Sequence, residues 1–225
     1  MKHVVISPLS TYERHGWWSF ELGIFLLCAI GSRKYRVSIH PAHKVDPVMA
    51  ARNLICKKFL KETTADWLLM IDNDMRPPTN LLDMLDDIPP EADIAVPIMH
   101  LWNEVNKFPA ICWRPKDIAI NQVKMSEEET RKLLGEKWIE LEACGSGAMF
   151  VRRKVLETLP YPWFARRFDE DGKCTHSEDT LFTEAASKAG FRIFGATQFV
   201  VGHWRTVDLA DVPVPEKAIT PESFV

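Results

Sequence analysis

The chain has 225 residues, 46% hydrophobic and 26% charged, enough to bury the core of one large domain or of two closely packed halves. A formal charge of −3 and a pI near 6.2 supply no basic field for non-specific binding to nucleic acid or to an anionic membrane, so neither is the expected partner. The five cysteines (Cys28, Cys56, Cys112, Cys144, Cys174) are odd in number, scattered and without a CxxC pair, which suits reduced thiols in a cytoplasmic protein.

The opening MKHVVISPLS has no basic segment followed by a long apolar one, so it reads as a first strand rather than a secretory signal. Residues 20–31, FELGIFLLCAIG, carry Glu21 and fall short of the roughly 20 residues that span a bilayer, which predicts a core helix and no stable membrane insertion. Asp46 as N-cap and Pro47 in the first turn open a second helix, with Val48, Ala51, Ile55 and Phe59 on one face and Lys57, Lys58 and Lys61 on the other. That helix feeds the apolar strand WLLMI. Pro77 and Pro78 then break the chain, Thr79 caps a short helix containing Leu81, Leu82 and Leu85, and the strand DIAVPIM follows.

From about residue 101 the stretch LWNEVNKFPAICWRPKD, aromatic and punctuated by proline, predicts loops or an antiparallel excursion. Ser126 and Glu129 form a capping box, with Met125 as the staple residue and Gly135 as the stop. Residues 137–151 read as a strand, a turn at 145–147 and a second strand, AMFV. Ser177 caps a helix running through Leu181, Phe182, Ala185, Ala186 and Ala189 to Gly190, and the strand pair FRIF and QFVVGH follows. This alternation predicts an α/β sandwich around a mixed, mostly parallel sheet. The expected organisation is a single unit over 1–209, divided near residue 100, and an extended proline-containing tail over 210–225. There is no internal repeat and no low-complexity tract.

The run WLLMIDNDM drives a buried strand into Asp72, Asn73 and Asp74. The C-terminal edge of a parallel strand is where α/β proteins place ligand-binding groups, and hard divalent cations such as Mg²⁺ and Mn²⁺ take one or two carboxylates plus substrate phosphates. The alternative is a solvated turn using ordinary Asp and Asn turn chemistry. In HSEDTLF, Glu178 and Asp179 fall in the first turn of a helix, whose dipole favours negative charge. The same placement suits a carboxylate general base. His203, in GHW, is either a structural histidine or a metal ligand.

In their order and spacing these pieces resemble the GT-A glycosyltransferases, especially the inverting family 2-like enzymes, from about Val4 to about Trp204. The motifs that carry the resemblance are ISPLS, AARNLI, MIDNDM, CGSGAMFVRR, YPWF, SEDTLF and VVGHW. The resemblance implies a GT-A α/β/α sandwich and a nucleotide-diphosphate sugar donor, with UDP favoured. It places Ser7 and Pro8 in the nucleotide loop, Arg52 and Asn53 near the nucleotide or pyrophosphate, and Asp72 and Asn73 at the ribose and nucleotide. Asp74 would coordinate Mn²⁺ or Mg²⁺, with Asp72 beside it and His203 as a second protein ligand. Gly145, Ser146 and Gly147 would let backbone approach the donor sugar. Asp179 would take the acceptor proton, with Glu178 as the adjacent carboxylate. The segment YRVSIHPAHKVD departs from the family's second strand and acidic base contact, and leaves only Asp46 for that role.

The acceptor, whether saccharide, lipid-linked precursor, protein or modified nucleobase, would then be recognised by residues 100–140, by YPWFARRF and by the tail, with Trp102, Trp113, Tyr161, Trp163 and Phe164 as stacking platforms or as core. Two other classes stay open: a metal-dependent phosphohydrolase or nucleotidyltransferase using Asp72, Asp74 and His203, and a non-catalytic sugar-nucleotide or glycan-binding module. A homo-oligomer is compatible with either.

Overall fold

The computed structural model describes residues 1–10, 19–42, 45–103, 108–111, 113–115 and 135–204. The capping box at Ser126 and Glu129, with Met125, and the tail from residue 210 lie outside the described residues.

The strands are β1 (Lys2–Leu9), β2 (Tyr35–Ile39), β3 (Trp67–Asp72), β4 (Met75–Arg76), β5 (Ala92–Asn103), β6 (Phe108–Ile111), β7 (Trp113–Pro115), β8 (Trp138–Cys144), β9 (Ala148–Arg152), β10 (Arg167–Phe168), β11 (Cys174–His176) and β12 (Arg192–His203). Between them lie the helices α1 (Phe20–Gly31), α2 (Val48–Glu62), α3 (Arg153–Thr158) and α4 (Glu178–Lys188), and a 3-10 helix at Leu81–Leu85. The central sheet runs in the order β2-β1-β3-β9-β5-β12-β8-β7, with β4 paired to β12 and β6 to β5, while β10 and β11 form a separate hairpin.

Apolar runs explain the central strands. Residues 67–71 of β3 are all buried, as a strand covered on both faces requires. Among the described strands, parallel pairing is confined to β2–β1–β3 and to β5–β12, because β9 inserts antiparallel between β3 and β5, and β8 and β7 add antiparallel ladders at the far side. The sheet is therefore mixed as expected, with a smaller parallel share than the alternation of elements suggests. The segment 145–147 is not a hairpin turn. It carries the chain from β8, beside β12, to β9, beside β3. FRIF and QFVVGH are one strand, β12, whose register against β5 shifts between Ala196 and Val200.

Helix α1 has the expected bounds, and Ser19 caps it by accepting the Leu22 N–H at 3.0 Å. Its inner face is Leu22, Phe25, Leu26 and Ala29. Helix α2 starts one residue later than predicted: Pro47 occupies the N-cap with ψ 171, and no side chain caps it, so Asp46 does not perform that task. Likewise Asn80, not Thr79, precedes the 3-10 helix. The C-terminus of α2 is held from a distance. Arg153 donates to the carbonyls of Phe59, Ala65 and Thr63 at 3.0, 2.9 and 2.7 Å, satisfying carbonyls that a helix end leaves without partners. Among the described residues no helix is long and apolar enough to cross a membrane.

Candidate functional site

The turn after β3 is braced from four directions. Asp72 N–H donates to Gly147 O at 2.8 Å, Asn73 N–H to Leu9 O at 2.9 Å, Ser19 N–H to Asn73 O at 3.0 Å and Trp204 N–H to Asp74 O at 2.9 Å. The Ser19 hydroxyl also donates to Met75 O. β1, the α1 cap, the 145–147 segment and the end of β12 thus all fix the three-residue Asp-Asn-Asp turn. β4 then pairs antiparallel with β12, Met75 opposite His203, and this sets the His203 ring beside Asp74. His203 Nε2 lies 3.2 Å from Asp74 Oδ2.

Arg52, on α2, organises the other side. Its guanidinium is 3% exposed. Nη2 donates to both carboxylate oxygens of Asp72, at 2.9 and 3.0 Å, and Nη1 donates to Glu178 Oε1 at 2.9 Å. The second oxygen of Glu178 accepts from Arg166 Nε at 2.9 Å. Glu178 is thereby held between two guanidinium groups. Burial alone would raise its carboxyl, but the Arg166 hydrogen bond, its backbone hydrogen bond and the Arg52 charge outweigh burial and hold it below the usual carboxylate range. Asp72 goes the other way, raised by burial although Arg52 pulls it back.

Asp179 follows Glu178 in the first turn of α4. The Ser177 hydroxyl and the Thr180 N–H both bind its Oδ1, the latter at 2.8 Å, while Oδ2 accepts nothing from the described residues. Ser177 sits at the N-cap as expected, though its hydroxyl is turned to Asp179 and Thr180 rather than to a backbone N–H. The helix is fixed behind the site by Phe182, stacked on Phe164 with ring centroids 4.4 Å apart, and Phe164 is in turn clamped by Asn53.

These groups converge on a cleft of about 250 Å³ lined by Val48, Arg52, Asp72, Met75, Met99, 145–147, Glu178, Asp179 and His203. Met75 and Met99 form its soft apolar floor. At Gly147 a Cβ would lie 2.5 Å from Met75 Cε and 3.4 Å from Met99 Sδ, so a side chain there would push the methionines aside. Ser146 is buried, and its hydroxyl has no hydrogen-bond partner among the described residues. A buried orphan donor costs about 1–3 kcal/mol, so a ligand oxygen reaching Ser146 would relieve a penalty the protein otherwise carries.

Other residues singled out in the sequence lie elsewhere. Asn53 commits both amide atoms to Phe164, its N–H donating to Phe164 O at 2.7 Å and its Oδ1 accepting at 3.1 Å. Ser7 donates to His40 O between β1 and β2, Pro8 is buried in β1, and Asp46 is exposed ahead of α2. Asn73 is buried in the turn itself. None of these five lines the cleft. Trp113 and Phe164 are core, and Tyr161 is exposed with Lys57 Nζ 3.9 Å from its ring centre.

The sequence matches no protein-family model and no curated relative. Solved structures do match in shape. A197 from STIV superposes with a TM-score of 0.58 at 18% identity, covering 92% of this chain and 87% of that one. GalNAc-T7, solved with UDP, GalNAc and Mn²⁺, superposes with a TM-score of 0.52 at 11% identity over 92% of this chain. The chain has the GT-A fold. It spans 44% of the GalNAc-T7 chain, less than half of that protein's length.

Within this GT-A cleft no group of three His, Cys, Asp or Glu side chains forms a metal cage among the described residues. Asp74 and His203 nonetheless suit a divalent cation whose remaining positions come from substrate phosphates and water, the usual arrangement for Mg²⁺ at phosphate-binding sites. Asp72 fits that role less well, because both its oxygens are taken by Arg52.

Three features of the GT-A site escaped the sequence reading. Met75 and Met99 look like ordinary strand residues in MIDNDM and VPIM. Ser19 looks like an isolated serine before an apolar run, although a Ser two residues ahead of Glu21 is a recognisable cap signal. Arg166 lies in YPWFARRF, where two adjacent cations beside an aromatic run were the available signal.

Proposed function

We propose that the protein transfers a sugar from a nucleotide-diphosphate sugar, a UDP-sugar first among them, to an acceptor hydroxyl with inversion at the anomeric carbon. The observation that carries this reading is that Asp179, with one carboxylate oxygen uncommitted, lines the same cleft as His203, whose Nε2 lies 3.2 Å from Asp74 Oδ2 just behind the lining. Asp179 Oδ2 takes the proton from the acceptor hydroxyl. The acceptor oxygen bonds to the anomeric carbon from one face while the bond to the diphosphate breaks on the other, the electron pair leaving on the phosphate oxygen. Mn²⁺ or Mg²⁺ held by Asp74 and His203 would supply neutralisation of the leaving diphosphate. Asp72, kept in place by Arg52, faces the nucleotide, and the small residues at 145–147 admit the sugar over Met75 and Met99.

GalNAc-T7's UDP and Mn²⁺ support the choice of UDP and of a divalent cation. The acceptor is a saccharide, a lipid-linked precursor, a protein or a modified nucleobase, met in the cytoplasm. Thermal-shift measurement with UDP-, GDP- and dTDP-sugars, each with and without Mn²⁺, tests the reading. A ligand at 100 times its Kd stabilises by about 2.7 kcal/mol, a rise of several degrees for a chain of this size. The absence of metal-dependent stabilisation by every nucleotide overturns it.

A further inference from the structure

Arg166 lies just ahead of the β10–β11 hairpin and is tied to the site without lining it. Its Nε is fixed by Glu178 Oε2 at 2.9 Å, and Glu178 is fixed from inside by Arg52. The two carboxylate oxygens of an almost fully buried glutamate are thus divided between a sealed guanidinium, 3% exposed, and one whose side chain is 38% exposed. A solvated rim arginine needs no such anchor. The anchor removes the rotamer freedom of a long side chain and leaves both terminal amino groups of Arg166 without a partner among the described residues.

The charges around Asp179 say what this fork is for. Asp72, Glu178 and Asp179 are carboxylates in the cleft, Asp74 lies behind it paired with His203, and the guanidinium groups among them are Arg52 and Arg166. Arg52 spends both terminal amino groups on Asp72 and Glu178 and is almost fully buried. Of these two guanidinium groups, Arg166 is the one that presents exposed surface to an anionic molecule approaching Asp179. We infer that Arg166 binds an anionic group, phosphate or carboxylate, on the acceptor, and that the acceptor hydroxyl reaching Asp179 belongs to an acidic molecule rather than a neutral one. Planar, doubly hydrogen-bonded recognition of such groups is what a pre-oriented guanidinium does best.

This inference rests on Asp179 as the acceptor-side carboxylate, and its test is separable from the test of glycosyl transfer. Inorganic phosphate and acetate are titrated by calorimetry into wild type, Arg166→Ala and Arg166→Lys, each without nucleotide and again with UDP and Mn²⁺, with melting temperatures recorded for all three proteins. Wild type is expected to bind at least one of the two anions, and the one bound more tightly identifies the acceptor group as phosphate-like or carboxylate-like. Arg166→Ala should weaken that binding about tenfold or more, the scale of one charge-assisted fork, and Arg166→Lys by less. Affinity for UDP with Mn²⁺ should stay within about twofold of wild type in both variants. Equal anion binding by wild type and Arg166→Ala overturns the inference, as does the lack of binding of either anion to wild type. A parallel loss of UDP affinity would instead make Arg166 a donor contact and also overturns it. If wild type fails to bind UDP, the proposed transfer falls, while the titrations without nucleotide still decide whether Arg166 holds an anion.

Discussion

The two sides of the cleft obey different rules. Around Arg52, charges are cancelled inside the protein by contacts of 2.9 to 3.0 Å, and Asp72 and Glu178 spend their oxygens on guanidinium groups. Around Asp74 the histidine pair is longer, at 3.2 Å, and the floor is thioether rather than ionic. The contrast separates scaffold from working surface. Buried charge locked in two-ended pairs sets geometry and tolerates no loss of a member, whereas on the proposed reading the Asp74–His203 pair over flexible methionines rearranges around a cation and a sugar.

The sharpest way to break this comparison is to remove Arg52. Arg52→Met should strand Asp72 and half of Glu178 and cost about 3–5 kcal/mol, as removing one partner of a buried pair does. The melting temperature should fall by about 10 °C or more at this chain length. A fall no larger than that of Asp74→Asn would show that the two sides are not built differently.

Next in size is Asp179→Asn. The substitution keeps shape and the contacts at Oδ1 but cannot accept a proton, so kcat should drop about 10² to 10⁴-fold with donor affinity and melting temperature near wild type. Turnover within about threefold of wild type would remove Asp179 from the chemistry and leave it as N-terminal charge on α4, where its loss costs about 0.3–1 kcal/mol of stability.

On the loose side, Asp74→Asn should abolish Mn²⁺-dependent nucleotide binding with little change in stability. His203→Ala should weaken metal binding about 10 to 100-fold, the range for groups that support a metal. Calorimetric titration of Mn²⁺ with and without UDP separates the two, and unchanged metal affinity in His203→Ala returns that histidine to a purely structural role.

Residues that act through local pattern were the ones legible in the sequence. The continuous apolar run of β3 stopping at Asp72, the bounds of α1 and the two carboxylates opening α4 all follow from periodicity and capping, which short stretches carry. Partnerships across the sheet were not legible. That Asn53 serves Phe164, 111 positions later, or that Arg153 closes α2, depends on strand order, and the antiparallel insertion of β9 is invisible in a string of alternating helices and strands. Sequence proximity also misleads at Glu178 and Asp179, where adjacent carboxylates face different partners and only one is left with an open oxygen.

That difference yields a pH prediction. Glu178 in the folded protein titrates below its ordinary value of 4.5, so its stabilising contribution is complete above about pH 4.5 and is lost as pH falls through the lowered folded value. Glu178→Gln should therefore melt lower than wild type at neutral pH, and the gap should close only in that acid window. A gap that closes nearer neutrality would mean that Glu178 is not held by its two arginines.

The smallest expected effect probes the floor. In Gly147→Ala the new methyl meets the Met75 terminus at 2.5 Å, and because Met75 Cε ends a flexible side chain, the methionine moves rather than the backbone. Mild overpacking of this kind costs about 1 kcal/mol, a few degrees of melting temperature. Met75 sits beside Asp74 and opposite His203, so its displacement should cut affinity for the nucleotide sugar while leaving affinity for UDP with Mn²⁺ nearly unchanged. Met75→Ala in the Gly147→Ala background removes the collision and should restore most of the lost sugar-nucleotide affinity, which a double-mutant cycle reports as coupling between the two positions. Additive effects would mean that Met75 and Gly147 do not share the donor-sugar floor, and the loose side of the cleft would then be defined by Asp74 and His203 alone.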